Sequence, residues 1–401
     1  MTIAPIDCAA ARTRYNTTFS AEKYDAFLKD IHPVYDLSLD FRIAETPVFV
    51  SKSFQQEMLH LFEEIKTFLN HKELSGKLQG AVPKLFNVAN ESNRPSFISI
   101  DFAVCKDENG SLFPQLIELQ GLASLYCYQR NLNFAYLKHF DVPKNFSPYF
   151  RHLNDSQYLA LLKKIIFADE APEHTIMLDI APPKQKTRID FIYSKKDLQV
   201  EPVCVTEIFQ EDNQLFYYRD GIKLQVKRIY NRLIFDELSK RKDIQAKLKF
   251  DFNANLDVTW IAHPNWFYKI SKYTMPFMNS KYVPETHFLN EYENWPDDLE
   301  NYVLKPLFSF AGTGIYFDVS KEILDSIEDR ENFILQKKVI YAPFVPTLDI
   351  HAKAEIRMLC LWDEELIPAM CLARLSKGKI MGVDYNKNKT WVGSSAVFFE
   401  Q

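Results

Sequence analysis

The chain has 401 residues and a formal net charge of −5, with 47% of residues hydrophobic and 14% aromatic. That is enough apolar material for two or three cored domains, and it excludes a disordered chain and an electrostatic drive towards nucleic acid. Six scattered cysteines without a CxxC, no apolar run of membrane-spanning length and no apolar segment at the N-terminus predict free thiols in a reducing compartment, hence a cytoplasmic protein with no membrane or nucleic-acid partner.

Residues 1–90 read as mostly helical. In 53–69, Phe54, Met58, Leu61, Phe62, Ile65 and Leu69 recur at helical spacing, with Ser53 as the expected N-cap. The period then switches to two. Residues 96–104 read as a strand, 106–111 (KDENGS) as a turn and 113–119 as the returning strand. Asp101 interrupts an apolar run, and Glu118 and Gln120, two apart, leave the same face of their strand. Carboxylates among apolar neighbours are costly unless paired or coordinated. Oxygen donors of this kind suit Mg²⁺ shared with phosphates, while an ordinary hairpin with a solvated acidic face remains open.

A helix is expected at 156–167, and from 175 the pattern becomes α/β: strand 175–180, helix 187–198, strand 201–208. Such a βαβ unit places a ligand crevice at the carboxyl ends of its strands, where the cationic loop 184–188 would lie to meet an anionic substrate, a solvated charge run being the open alternative. A hairpin with an Asp-Gly turn follows at 215–223, then an amphipathic helix from about Arg232, and an apolar strand at 256–261. Lys272 sits beside Ser271 among aromatic residues, with a plain surface lysine as the alternative.

The segment 302–315, YVLKPLFSFAGTGI, carries Lys305 at the end of an apolar strand and then a small-residue loop with Ser309, Gly312, Thr313 and Gly314. The chain holds only 10 glycines, so two within three positions mark a conformational need. Backbone N–H groups in such a loop can cradle phosphate beside a lysine; a hairpin turn with a surface lysine is the plainer alternative. A helix at 320–330 and a strand at 333–341 (FILQKKVIY) come next. The antiparallel pair 354–362 and 367–376 then sets Arg357 and Arg374 into apolar strands, where each needs an anion.

Taken together, YVLKP with its glycine loop, ILQKKV, EIRMLCLW and AMCLAR resemble the ATP-grasp superfamily, with the two arginine strands similar to those of ribosomal-protein glutamate ligases. The metal-binding pattern of that superfamily appears here near the front, as IDFAVCKDENGSLFPQLIELQ. This order, with YNRLIFDEL and ISKY, resembles circularly permuted members such as eukaryotic-type glutathione synthetases and glutathionylspermidine synthetases. The resemblance covers about residues 95–401. It implies an α+β, circularly permuted ATP-grasp fold with an inserted α/β (βαβ) substrate domain. The expected organisation is a helical region plus metal-binding strands (1–150), an α/β substrate-binding insert (170–265) and an ATP-binding subdomain with the C-terminal core strands (266–401).

The implied activity is an ATP-dependent carboxylate–amine ligase working through an acylphosphate on a small acid or peptide. ATP would be bound by Lys272, Lys305, Ser309, Gly312, Thr313, Gly314, Gln336, Lys337 and Val339. Mg²⁺ would be held by Asp101, Glu118 and Gln120, with Arg357 and Arg374 catalytic and Glu355 the nearest acid to assist the amine. Three departures stand out: Glu118-Leu119-Gln120 replaces ExN, no glutamate follows the KP lysine within 307–310, and Gln336-Lys337 replaces an expected hinge acid. They keep a second reading in play, a catalytically weakened nucleotide-binding regulator. The partners implied are small-molecule acids and amines; a homodimer is left open.

Overall fold

The computed structural model describes residues 7–32, 39–122, 124–150, 153–309, 313–378, 381 and 386–401. Its centre is a mixed sheet in the order Val48–Val50, Gly393–Glu400, Leu366–Ser376, Ala352–Trp362, Phe97–Lys106, Leu112–Gln120, with two short strands added at its sides. Segments from the front and the back of the chain therefore lie side by side, because Phe97–Lys106 pairs antiparallel with Ala352–Trp362.

Alternation along these strands feeds two cores. Ile98, Ile100, Met358, Cys360, Val397 and Phe399 pack on one face with Phe54, Met58, Leu61, Phe62 and Ile65 of helix Lys52–Leu69. Phe97, Leu359, Leu361, Leu372 and Phe398 pack on the other with Tyr126, Leu132 and Tyr136 of helix Tyr126–His139. With both faces covered, the strands are apolar apart from a few charged positions such as Asp101, Glu355, Arg357 and Arg374.

Several boundaries differ from the sequence expectation. Helix Lys52–Leu69 is capped by Ser51, whose hydroxyl accepts from the Phe54 amide, so Ser53 lies inside the first turn. Helix Tyr126–His139 was not predicted: it is buried almost all round, Gln129 bonding Asn133 at 2.8 Å within it, so no apolar stripe marks it. The helix expected from Arg232 begins only at Phe235 and ends at Lys240; Arg232 is buried and paired with Asp190. The helix expected over 320–330 is one short piece, Lys321–Asp325.

The βαβ unit is present. Thr175–Asp179 and Glu201–Cys204 run parallel, joined through helix Arg188–Leu198, and Arg228–Asn231 and Thr259–Ile261 extend the same parallel sheet. Strands Gln214–Arg219 and Ile222–Val226 meet at the Asp-Gly turn, with φ of +53° and +79° at Asp220 and Gly221. A third small sheet orders Thr286–Phe288, Phe333–Lys337 and Tyr302–Pro306, and it presents Lys305. Among the described residues no helix is long and apolar enough to cross a membrane, and all six cysteines are free.

Candidate functional site

One face of the central sheet is apolar at Phe97, Leu359 and Leu372 and turns ionic further along the strands, at Asp101, Arg357 and Arg374. Register sets Arg357 opposite Asp101 and Glu355 opposite Arg374. The Arg357 guanidinium holds Asp101 through two bonds, Nε to Oδ1 and Nη2 to Oδ2, both 2.6 Å. Asp101 is 1% exposed, and burial raises its pKa despite Arg357. Burial works against the Arg357 cation too, but Asp101, Glu118 and Glu355 outweigh it and raise its pKa. Arg374 stands at the rim, 2.5 Å from Glu355 and 3.7 Å from Asp101. The Tyr341 hydroxyl donates to the other Glu355 oxygen at 2.9 Å.

Glu118 is brought opposite Asp101 by an irregularity: the next pair is Phe102 with Leu116, so Ile117 is an extra residue in the returning strand. A bulge re-aims the side chain beside it. The Gln120 amide then donates to Glu118 and lies 3.4 Å from Asp101, closing a group of three oxygen-bearing side chains.

Lys272 opens the 3₁₀ turn Lys272–Phe277, which Ser271 caps by accepting from the Tyr273 amide. Its Nζ sits 3.0 Å from Glu118 and donates to the Ser309 carbonyl at 2.7 Å. This contact requires Gly121. The Gly121 amide donates to the Ile270 carbonyl at 2.8 Å, and a Cβ there would lie 2.3 Å from the Trp266 carbonyl oxygen. Burial pushes Glu118 up, yet Lys272, Arg357 and Lys305 together carry it down to about 2.

Lys305 donates to Gln336 Oε1 at 2.6 Å, and Gln336 in turn donates to Thr286 Oγ1 at 2.9 Å. Its direct partner is a neutral amide. Burial, with repulsion from Lys272, lowers the Lys305 pKa to about 8 although Glu118 and Glu355 oppose the shift. An ammonium in this state favours an incoming anion.

The glycine loop is closed at its base by mutual Leu304–Tyr316 backbone bonds of 3.0 Å. Gly314 adopts φ +74°, as a left-handed turn position requires, while Thr313 and Gly314 are exposed and Gly312 lies outside the described residues. Lys337 does not join the cluster: it is on the opposite side of its strand, 2.9 Å from Glu285. Val339 is half-buried beyond the end of the same strand. Sequence reasoning did not single out Tyr341, Thr286 or Gly121. Only Gly121 carried a signal, a glycine directly after a polar strand end in a glycine-poor chain.

Asp101, Glu118 and Gln120 offer oxygens of the kind Mg²⁺ takes when phosphates complete its shell. Among the described residues no group of three or more His, Cys, Asp or Glu forms a self-contained metal cage. As the side chains stand, both Asp101 oxygens accept from Arg357, Glu118 pairs with Lys272, and Gln120 turns its amide nitrogen towards Glu118.

No family model and no curated protein matches the chain. Among solved structures it is similar to a glutathione synthetase-like effector from Globodera pallida in its apo form. The TM-score is 0.57 at 10% identity, covering 94% of this chain and 96% of that one. At this identity the likeness speaks for architecture alone, and the chain has a glutathione synthetase-like fold.

Proposed function

We propose that the chain is an ATP-dependent carboxylate–amine ligase on a glutathione synthetase-like scaffold. The observation that carries the reading is the meeting of Lys272 with Glu118 at 3.0 Å, next to Asp101, Arg357 and Lys305, although these residues come from opposite parts of the chain. Lys272 and Lys305 bind the nucleotide phosphates. Lys272 exchanges Glu118 for a phosphate oxygen, and Lys305 gains a true counter-ion in place of an amide. The loop that begins at Ser309, whose carbonyl already accepts from Lys272, would close over them and exclude water. Freed by that exchange, Glu118 with Asp101 and Gln120 would hold Mg²⁺, which when bound would supply charge neutralisation at the phosphates.

Arg357, held rigid by Asp101, and Arg374 at the rim neutralise charge on the transferring phosphoryl group and the substrate carboxylate. Glu355, oriented by Tyr341 and Arg374, is the acid placed to accept a proton from the attacking amine. Positioning and electrostatics do the work, so no side-chain nucleophile is needed.

The missing glutamate after the KP lysine favours a second reading, a nucleotide-binding regulator without turnover. Phosphate release with ATP, Mg²⁺ and mixtures of amino acids and polyamines separates the two. Release that requires both an acid and an amine supports ligation. Nucleotide binding without release under any mixture supports the regulator.

A further inference from the structure

Behind the segment that carries Lys272 lies a cavity of about 210 Å³, lined by Ser75, Leu78 and Gln79 of helix Leu74–Gln79, by Glu91, Ser92 and Asn93, and by Trp266 and Lys269 of helix Pro264–Lys269. That volume holds about seven waters, or a solute the size of a free amino acid. Its wall contains a buried cation. The Lys269 side chain is 6% exposed, with Nζ bonded to Gln79 Oε1 at 2.9 Å and Glu91 Oε1 at 2.5 Å. These use two of its three N–H donors. The ammonium stands 5.2 Å from the centre of the Trp266 ring. At the rim, Ser75 and Asn93 make no side-chain hydrogen bond among the described residues. One spare N–H on a desolvated ammonium, with a hydroxyl and an amide lining the same cavity, is the chemistry that takes a carboxylate.

The same helix touches the candidate active site on its other side. The Trp266 carbonyl abuts Gly121 with no room for a Cβ, and Gly121 directly follows Gln120. Three residues after Lys269 comes Lys272 with its contact to Glu118. A second tie runs through Tyr273, whose hydroxyl donates to the Lys77 carbonyl, 3.3 Å away on the helix that forms the opposite wall. Movement of either wall therefore reaches Lys272 through close packing, without a flexible linker between.

We propose that this cavity is a second ligand site, for a small carboxylate of amino-acid size, and that its occupancy is coupled to nucleotide binding at Lys272. The coupling half rests on the function proposed above; the binding half does not. A bound carboxylate takes the third Lys269 donor and competes with Gln79 and Glu91 for the other two, shifting helix Pro264–Lys269 against Gly121. Linkage makes the effect reciprocal: the carboxylate changes ATP affinity by the factor by which ATP changes carboxylate affinity.

The test is calorimetric titration of the full chain with L-glutamate, glycine and succinate, each with and without ATP·Mg²⁺. The expected result is one site for at least one probe and a change in ATP affinity of about fivefold or more when it is filled. Ser75→Trp, which puts an indole at the cavity rim and leaves Lys269 in place, abolishes both effects, and Lys269→Met abolishes them where it folds. Absence of binding by all three probes at millimolar concentration overturns the proposal, as does binding that survives Ser75→Trp. Binding that leaves ATP affinity unchanged overturns the coupling. Failure of ATP to bind with no probe present counts against the proposed function, while the probe titrations alone still decide whether the cavity is a site.

Discussion

Replacing Lys305 with methionine should stabilise the protein at neutral pH while removing much of its affinity for phosphate. The Lys305 pKa falls from 10.5 to about 8, chiefly through burial. That difference corresponds to about 3 kcal/mol disfavouring the charged form in the folded state. Methionine has no charge to desolvate and nearly the same length. It strands Gln336 Oε1, which Lys305 now engages at 2.6 Å, and an unpaired buried acceptor costs about 1–3 kcal/mol. The net gain at pH 7 is therefore on the order of 1 kcal/mol.

The sign with pH follows from a folded pKa below the unfolded one. The wild-type penalty is complete below about pH 8, shrinks as pH rises from there to 10.5, and is gone above 10.5, where lysine is neutral in both states. Urea denaturation of both proteins across that range reads the difference directly. A variant less stable than wild type at pH 7 by more than about 2 kcal/mol, or a gain independent of pH, refutes the picture of Lys305 as a desolvated, under-compensated ammonium. Loss of a charged hydrogen bond worth about 1.5–3 kcal/mol predicts ATP binding weaker by roughly 10- to 150-fold.

Asp101→Asn breaks the twofold bond to Arg357 and leaves a buried guanidinium without its counter-ion, so denaturation should show a loss of about 3–5 kcal/mol. Replacing Arg357 by methionine in the same protein should recover part of it. Glu118 titrates at about 2 in the folded protein against 4.5 ordinarily, so its pairing stabilises fully above pH 4.5 and is lost as pH falls through about 2. Glu118→Gln should flatten that part of the acid limb in a stability–pH profile and abolish turnover. Gly121→Ala forces a Cβ to 2.3 Å from the Trp266 carbonyl, displacing the Lys272 segment; nucleotide affinity should fall about tenfold or more, whereas Gly76→Ala, which meets open space, should leave it unchanged.

The parts of the fold legible in the sequence were those whose pattern is local. The hairpin bearing Asp101 and Glu118, the paired strands bearing Arg357 and Arg374, and the βαβ unit declare themselves through alternation and turn residues. Helix Tyr126–His139 does not, because it has core on nearly every side and so presents no periodic stripe. Arg232 looked like the start of a basic helix but serves a buried pair with Asp190, a contact across 42 positions that propensity cannot see. At the candidate site, residue type and order pointed to the lysines, acids and arginines. The extra residue at Ile117 and the close approach at Gly121 are set by strand register and by a neighbouring helix, and neither has a local signature. Gln336 was expected to line a hinge; it turns inward to Lys305, while Lys337 pairs with Glu285.

The most direct measurement is a calorimetric titration of ATP·Mg²⁺ into the wild-type chain and into Lys272→Ala and Lys305→Met. One ATP per chain, with affinity falling at least tenfold in each variant while the fold persists, is the predicted result. Wild-type protein that takes up no nucleotide, or variants that bind it as tightly as the wild type does, would contradict the assignment of this cluster to phosphate.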